Sequence, residues 1–383
     1  LKKQGKKILL IDPIKNKTAR LADDYLKIEP ATDAFLVNAI LKQLGLIQTE
    51  ESLSELLKIC NINIDQFETA LKYITNGKTA IITGYGLQRY SNGKNIVQWI
   101  NRLAYLTNNL DNLYYCTSSK EGLPKPPINN PTINISELLE KLENNFFHMA
   151  IIVASNPIIS YPSNNRLKNA FKQLEHLIVV DTNKTETVSI ASDFIKVGGM
   201  FAQKDISGSY FYPDRIIIRD KIINHLSDYD AAVLVAQNLS INLTLDIPTI
   251  PENKVDSKKS YSMRYLPLIL PKKEHGLRLI TRSHYSYLNS QHFGDFKANF
   301  LYISPTDAEK YHLKDGDTVL IKGNNEKATA KIQITNDLGE GYIFAYKCQK
   351  FIEGDPNLFT KFIPTDSKTG IALYDTFVEL EKL

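Results

Sequence analysis

Residues 8–45 read ILLIDPIKNKTARLADDYLKIEPATDAFLVNAILKQLG. The apolar run at 8–11 precedes the turn pair Asp12-Pro13, and it predicts a fully buried strand. A short helical segment, a second strand at 25–28 and a helix with Thr32 or Asp33 as its N-cap follow. Strand and helix alternate in this way when a chain builds a parallel sheet, so the stretch predicts an α/β fold.

The alternation continues to about residue 115. A strand at 79–83 precedes Gly84-Tyr85-Gly86 and a helix that runs to about residue 106. Residues 119–136 contain four prolines within eight positions, which excludes a regular element there. We therefore predict a first α/β domain over residues 1–115 that ends at this proline-rich boundary.

A second α/β domain is predicted over residues 116–255. Its strand at 149–154 precedes the loop Ser155-Asn156-Pro157 and a helix, and a strand at 177–180 precedes a loop that begins at Asp181. The order of elements matches that of the first domain.

The sequence pattern changes from about residue 262. Short β-type runs alternate with turns rich in Gly, Asp and Asn, such as Lys314-Asp315-Gly316-Asp317, and strands at this spacing predict a small β-barrel over residues 262–383. One helix at 306–311 interrupts the strands, with Ser304 or Thr306 as its N-cap.

Composition excludes several classes of protein. The 383 residues are 43% hydrophobic and 23% charged, which is typical of a packed globular chain. The 46 Lys and Arg exceed the 42 Asp and Glu by 4, too small an excess for a dedicated nucleic-acid-binding protein. No apolar stretch approaches the roughly 20 residues that a bilayer requires, so membrane insertion is not expected.

Three cysteines, Cys60, Cys116 and Cys348, lie far apart and form no C-x-x-C pair. The chain is therefore not expected to hold an iron–sulfur cluster or a disulfide framework, and a reducing, cytoplasmic location is predicted. Because the sequence begins with Leu1 instead of Met, directly before an apolar run, we expect it to be part of a longer protein.

The candidate functional residues lie in loops at the carboxyl ends of predicted strands, where ligands bind in open α/β sheets. A carboxylate such as Asp12, Asp33 or Asp181 can accept two hydrogen bonds from a guanine base, whereas phosphates favour hydroxyls, backbone amides and Arg282. This combination favours a purine nucleotide. Each aspartate is also compatible with a turn or cap role, and Gly-x-Gly alone is a weak signal.

Other chemistries have less support. His284 and His292 lie eight residues apart without clustered acidic partners, which argues against a metal site. Gly-x-Ser-x-Gly is absent, which argues against serine hydrolysis.

A set of motifs in one order resembles a known family, the molybdopterin oxidoreductases that bind two molybdopterin guanine dinucleotides. The matching residues are Asp12-Pro13, Thr18-Ala19, Pro30-Ala31-Thr32-Asp33, Gly84-Tyr85-Gly86-Leu87-Gln88, Ser155-Asn156-Pro157, Asp181 with Thr185, Leu288-Asn289-Ser290, Lys314-Asp315-Gly316-Asp317, Asn357 with Thr360, and Tyr374-Asp375-Thr376. The resemblance covers nearly the whole chain.

The resemblance implies two Rossmann-like α/β domains and a double-psi β-barrel that closes over two guanine dinucleotides. These carry molybdenum or tungsten, which exchanges two electrons in oxygen-atom or hydride-equivalent transfer. The implied cofactor-binding residues are Asp12, Thr32, Asp33, Gly84 and Gly86 for the first half; Ser155, Asn156, Asp181 and Thr185 for the second; and Gln88, Arg282, Ser283, His284, Asn289 and Asn357 toward the pterins.

Two departures from the family pattern are Ile14, where Arg is usual, and Ala31, where Gly is usual. The family's 4Fe-4S region and its Cys, selenocysteine or Ser metal ligand would precede Leu1, so the chain alone is expected to be inactive. The implied partners are a small-molecule substrate, the missing amino-terminal region and an electron-transfer subunit.

Two functions remain compatible with this sequence. One is an enzyme, the cofactor-binding part of a formate-dehydrogenase-like molybdopterin oxidoreductase. The other is a metal-free scaffold that has kept the fold, like the large iron–sulfur subunit of respiratory complex I. Loss of the usual Arg at Ile14 favours the scaffold, and the nucleotide-binding groups that persist in both halves favour the enzyme.

Overall fold

The computed structural model describes residues 4–115, 132–208, 216–238, 240–241, 261–284, 287–288, 290–292 and 299–383. The chain divides into two compact units. One unit contains Leu1–Cys116 together with Lys259–Leu383, and the other is Thr117–Lys258. The amino-terminal α/β segment and the carboxyl-terminal barrel therefore form one body, while the predicted division into three domains stays a prediction.

The amino-terminal part of the first unit consists of short parallel strands and four helices. Its elements are β1 Leu9–Ile11, β2 Asp24–Leu26, α1 Asp33–Gln43, α2 Leu53–Cys60, α3 Ile64–Thr75, β3 Ile81–Thr83, α4 Gly93–Leu106 and β4 Leu113–Tyr115. β1 pairs in parallel with β2, and β3 in parallel with β4. Helices α2 and α3 each begin with a capping box, Ser52 with Glu55 and Asn63 with Gln66.

One expectation for this part is wrong, and the predicted N-cap of α1 is confirmed. β1 is not fully buried: Leu9 and Leu10 are half-buried and Ile11 is exposed, because the strand belongs to a two-stranded sheet. Thr32 does occupy the N-cap position of α1, but its side chain makes no capping hydrogen bond. The hydroxyl instead donates to the carbonyl oxygen of Glu29 at 2.6 Å.

An extended segment, residues 261–270, lies against α4. It has no regular secondary structure, and its Leu266 and Leu268 pack against the core that α1 and α4 share. The Pro267 carbonyl oxygen accepts a hydrogen bond from the Trp99 indole at 3.1 Å. Apolar packing and side-chain donors on α4 thus hold this segment in place against the helix.

The second unit contains a parallel sheet of three strands. Its elements are α5 Ile135–Glu143, β5 Met149–Val153, α6 Pro157–Ser160, α7 Asn164–Phe171, β6 His176–Asp181, β7 Asp193–Lys196, β8 Asp205–Gly208, β9 Ile216–Arg219 and α8 Asp228–Asn238. The sheet order is β5-β6-β7, and β8 pairs with β9 in a separate antiparallel sheet. β6 is the central strand of this sheet, and its residues Leu177 and Val179 are buried, as expected for a strand with a neighbour on each side.

The barrel completes the first unit. Its elements are β10 Leu277–Arg282, β11 Tyr287–Leu288, β12 Gln291–His292, β13 Phe300–Ile303, α9 Pro305–Lys310, β14 Thr318–Gly323, β15 Glu326–Ile334, β16 Tyr342–Tyr346 and β17 Phe377–Lys382. Six strands close in the order β10-β16-β13-β15-β14-β17, with β10–β16 and β13–β15 parallel and the other pairs antiparallel. Ser304 caps α9 by accepting from the Asp307 amide at 3.1 Å.

The predicted fold class is confirmed: parallel α/β sheets are combined with a closed carboxyl-terminal β-barrel of six strands. The last barrel strand, β17, was not among the expected elements. Of the helices in the described part of the chain, none combines the length and the apolar character needed to cross a membrane.

A loop of the barrel holds the start of α4. The carboxylate of Asp366 accepts from the amides of Lys94 and Asn95, each at 2.7 Å, and Asp375 accepts from the Ser91 amide at 2.7 Å. The first amides of a helix have no partners within the helix, so Asp366 caps α4 from outside, and Asp375 holds the residue just before its N-cap. The side chain of Arg278 donates to Asp375 at 2.8 Å and fixes it in the buried joint.

We expect Asp366→Ala to lower the free energy of unfolding by about 1–2 kcal/mol, because two amides of α4 lose their acceptor. Urea denaturation of the 383-residue chain measures this. Glu309→Ala, at an exposed position of α9, is the control and should change stability by less than about 0.5 kcal/mol. Equal stability of the Asp366 variant and the wild type would contradict the capping role.

Candidate functional site

Three predicted site residues come together in the first unit. Asp12 follows β1, Asp33 begins α1, and Arg282 ends β10 of the barrel. The positive charge of Arg282 acts to lower the pKa of Asp12, and the charge of Asp12 in turn acts to raise the pKa of Asp33. The strand-end loops of the α/β part and the first barrel strand therefore lie within electrostatic range of one another.

The carboxylate of Asp12 is partly committed to its own turn. One oxygen accepts from the Ile14 amide at 2.8 Å and the other from the Asn16 side chain at 2.9 Å. Burial raises its pKa and outweighs these hydrogen bonds and the Arg282 charge. Asp12 thus has the turn role with which its position after a strand was also compatible.

Ile14 occupies the position of the usual arginine. It is buried in an apolar cluster with Ile280, Tyr342 and Phe344 of the barrel. A hydrophobic contact between the α/β part and the barrel thus replaces a fork-shaped hydrogen-bond donor.

Asp33 is the more strongly perturbed carboxylate. Burial raises its pKa to about 6; a hydrogen bond from its own backbone amide opposes the rise and Asp12 adds to it. A half-buried carboxylate that is poorly hydrated can accept hydrogen bonds from a ligand without first losing a full shell of water. Asp33 therefore has the burial and the raised pKa expected of a carboxylate that accepts hydrogen bonds from a ligand.

Two cations, Arg89 and Arg282, act on Tyr374, a half-buried tyrosine near the site, and Arg89 also acts on Lys347. Burial raises the pKa of Tyr374, and the charges of Arg89 and Arg282 oppose this rise. Burial lowers the pKa of Lys347, and the charge of Arg89 lowers it further. The guanidinium carbon of Arg282 lies 4.9 Å from the ring centroid of Phe344, which orients it by cation–π contact.

This cation cluster, Arg89, Arg282 and Lys347, suits an anion such as a diphosphate. The sequence analysis identified only Arg282. Arg89 follows Gln88 directly, and Lys347 follows β16, whose partner β10 ends in Arg282 and runs parallel to it. In the sequence, the available signal for Lys347 was its position at the carboxyl end of a predicted strand. That position becomes informative only when the pairing of β16 with β10 is known.

His284 lies beside the cluster. Its ring centroid is 4.5 Å from that of Tyr346 in an edge-to-face contact. Burial lowers the pKa of His284, and the charges of Lys17 and Arg282 lower it further, so the imidazole is neutral at pH 7. Ser283 beside it is exposed. The predicted residue Asn289 lies outside the described residues.

The Gly84-Tyr85-Gly86 loop leads into a short 3-10 helix, Tyr85–Arg89, that leaves Gln88 exposed. Neither glycine has a positive φ. A methyl group on Gly84 would meet nothing within 4 Å, and one on Gly86 would only touch the Tyr374 ring at 4.0 Å. The space in front of this loop is open, which allows a ligand to approach the backbone closely.

In the second unit, Asn156 joins two loops. Its amide donates to the Glu186 carboxylate at 2.8 Å, and its oxygen accepts from the Thr187 hydroxyl at 2.8 Å. The loop after β5, with Ser155, and the loop after β6, with Thr185, are thereby brought together. The side chain of Asn156 itself is committed to this junction, which favours a positioning role over direct ligand contact.

The remaining predicted residues keep local partners. One carboxylate oxygen of Asp181 accepts from the Thr182 amide at 2.6 Å, and the Thr185 hydroxyl accepts from the Val188 amide at 3.3 Å. Asn357 is buried in a 3-10 turn, where its amide donates to Asp355 at 2.8 Å. Their roles toward a cofactor stay predictions. In the described part of the chain, no group of three or more His, Cys, Asp or Glu side chains is arranged to hold a metal ion.

Two family models match the chain. The "Molybdopterin oxidoreductase" model covers residues 1–194, which is half of the chain, and the "Molydopterin dinucleotide binding domain" model covers residues 277–378. The first match contains Asp12, Asp33 and the Gly84–Gln88 loop, and the second contains β10 to the start of β17.

Individual relatives are distant in sequence. The "Probable oxidoreductase YyaE" of Bacillus subtilis is 26% identical over 58% of this chain and 39% of its own length. The "F420-dependent formate dehydrogenase subunit alpha" of Methanocaldococcus jannaschii is 24% identical over 94% of this chain and 70% of its own length. The chain thus spans well under half of the first relative. The structure of acetylene hydratase from Pelobacter acetylenicus has the same fold over 100% of this chain and 74% of its own, with a TM-score of 0.70 at 12% identity.

We expect Asp33→Asn to stabilise the chain at neutral pH. A carboxyl group whose pKa is raised on folding contributes stability that is present below pH 4 and is lost as the pH rises through about 6. The variant avoids this loss, so it should match the wild type at pH 4 and exceed it by on the order of 2 kcal/mol at pH 7.5. Urea denaturation at both pH values is the measurement.

Asp65→Asn, an exposed acid in the first turn of α3, is the matched control and should show no such gain. Equal pH dependence of the Asp33 variant and the wild type would mean that Asp33 is not strained by burial.

Proposed function

The chain belongs to the molybdopterin oxidoreductase family, and on that premise we propose that it is the cofactor-binding part of an oxidoreductase that performs two-electron chemistry at a molybdenum or tungsten centre. The observation that carries the proposal is the convergence of Asp12, Asp33 and Arg282. These residues come from the α/β part and the barrel, which the two family models match separately.

The donor set of the site fits a guanine dinucleotide. Asp33 offers a carboxylate that can accept from both the N1–H and the amino group of guanine. The cation cluster offers three positive charges for the two phosphates. The open space in front of Gly84 and Gly86 lets a ligand approach the backbone of this loop closely. An acceptor for the base and donors for the phosphates are therefore present in one body of the protein.

We assign a role to each group in this first half. Asp33 binds the base, and Asp12 keeps the loop after β1 in place. Arg89, Arg282 and Lys347 bind phosphates, and neutral His284 and exposed Gln88 contact the pterin. When bound, the cofactor supplies a dithiolene-held metal that exchanges two electrons, with oxygen-atom or hydride-equivalent transfer.

A second dinucleotide is proposed for the second unit. Its support is the junction that Asn156 makes, which brings the hydroxyls of Ser155 and Thr185 into neighbouring loops, with Asp181 at the end of β6 as the acceptor for guanine. In this half the hydroxyls and backbone amides replace the cation cluster as the phosphate ligands.

The whole protein is proposed to resemble formate dehydrogenase in broad type, because a relative with that name aligns with 94% of the chain. We propose a small-molecule substrate, an electron-transfer subunit as partner, and a 4Fe-4S cluster held outside these 383 residues.

The chain should prefer GDP to ADP by about tenfold or more, because adenine lacks the adjacent N1–H and 2-amino donors from which Asp33 and Asp181 would accept hydrogen bonds. Asp33→Asn should remove this preference at the first of the two proposed sites, whereas the exposed control Asp65→Asn should keep it at both. Calorimetric titration of each variant with both nucleotides is the measurement. Equal affinities for GDP and ADP in the wild type would rule out the guanine assignment.

Metal analysis of the purified full-length protein tests the activity class. We expect about one molybdenum or tungsten per chain, as a two-electron centre requires. A protein that binds GDP selectively but contains neither metal would instead be the metal-free scaffold with a retained fold. The two measurements together separate loss of metal from loss of the nucleotide site.

A further inference from the structure

The turn before α1 contains a non-glycine residue in a left-handed conformation. The Thr32 amide donates to the Glu29 carbonyl at 3.3 Å, Pro30 is the second residue of this turn, and Ala31 is the third with a φ of 68°. This is the geometry of a type II turn, whose third position favours glycine because a Cβ is strained there. Asp33, the proposed guanine ligand, follows Ala31 by two residues, so the strained turn lies immediately before the helix that Asp33 begins.

A buried amide on another segment holds this turn. Asn92 precedes α4 and is 0% exposed. Its side-chain nitrogen donates to the Ala31 carbonyl at 3.0 Å and to the Ile269 carbonyl at 2.6 Å. Its side-chain oxygen has no hydrogen-bond partner among the described residues. The side chain therefore acts through its two donors.

We propose that Asn92 is a positioning residue for the guanine-binding site: it holds the Ala31 peptide in the left-handed conformation and thereby fixes Asp33 at the start of α1. This inference rests on the proposed function of Asp33. Strained backbone persists where the surrounding structure holds it in place, and it clusters at functional sites. Glycine at position 31 would hold the turn without help, whereas alanine requires an external partner.

Asn95, in the first turn of α4, offers a matched control. It is also buried, its side-chain oxygen also lacks a hydrogen-bond partner among the described residues, and its nitrogen donates to the Pro267 carbonyl at 2.9 Å. Asn95 and Asn92 thus both bind the extended segment 261–270, but only Asn92 is bonded to Ala31. Loosening of the segment can therefore be distinguished from loosening of the turn.

The experiment uses four variants of the 383-residue chain: Asn92→Ala, Asn95→Ala, Ala31→Gly, and Asn92→Ala with Ala31→Gly. The first readout is titration of the Asp33 carboxyl carbon by NMR, which does not depend on nucleotide binding. We expect the raised pKa of Asp33 to fall toward its ordinary value in Asn92→Ala, because the released turn lets water reach the carboxylate. Asn95→Ala should leave it raised.

The second readout is GDP affinity by calorimetry. Loss of one buried hydrogen bond predicts an affinity about fivefold weaker in Asn92→Ala and a change within about twofold in Asn95→Ala. The double variant should recover most of the wild-type affinity, because glycine adopts the left-handed conformation without Asn92. A purely structural role of Asn92 would give no such rescue.

The outcomes separate this inference from the proposed function. If the wild type shows no preference for GDP, the guanine assignment fails, while the Asp33 titration still decides the role of Asn92. An unchanged Asp33 titration in Asn92→Ala, an equal shift in Asn95→Ala, or no rescue by Ala31→Gly would each overturn the positioning role. Should Asn92→Ala fail to fold, the double variant provides the test: a normal Asp33 titration there supports the role and an altered one contradicts it.

Discussion

The joint at the start of α4 is the constraint on which the first unit depends. The amides of Lys94 and Asn95 have no acceptors within their own helix and donate to Asp366 of the barrel, while the amide of Ser91, just before the N-cap, donates to Asp375. The backbone of the same barrel loop also bonds to the segment before α4, since the Tyr374 amide donates to the Arg89 carbonyl at 2.9 Å. Loop, helix and barrel are therefore fixed relative to one another, and the candidate site residues of this unit are positioned by that arrangement.

Much of the fold followed from local sequence, and the exceptions have physical causes. Apolar runs before turn residues predicted β5, β6 and most barrel strands because both period and turn chemistry are local signals. β17 was missed because its burial depends on closing the barrel against β10 and β14, which no local pattern encodes. The expectation of a fully buried β1 failed for a related reason: four apolar residues indicate a strand but not how many neighbours it has.

The site was predictable in part. Asp12, Asp33 and Arg282 were identified because strand ends and fork-shaped donors have recognisable roles, and the structure places these three within electrostatic range. Arg89, Lys347 and Asn92 were not identified, since each acquires its significance from a contact with a distant segment. Asn92 reaches residues 61 and 177 positions away. Sequence reasoning thus finds residues that act by chemical type more readily than residues that act by position.

The discontinuity of the first unit has a consequence for biosynthesis. Its two halves, Leu1–Cys116 and Lys259–Leu383, are separated in the chain by the entire second unit. The ribosome therefore synthesises α4 long before Asp366 and Asp375, the residues that hold its start. The apolar surface of Ile14 likewise stays uncovered until Ile280 and Phe344 have been synthesised. Folding of this body is of high contact order, and its slow step is the return of the last segment to the first. Until that return, the apolar core of this body is incomplete and its surface stays exposed.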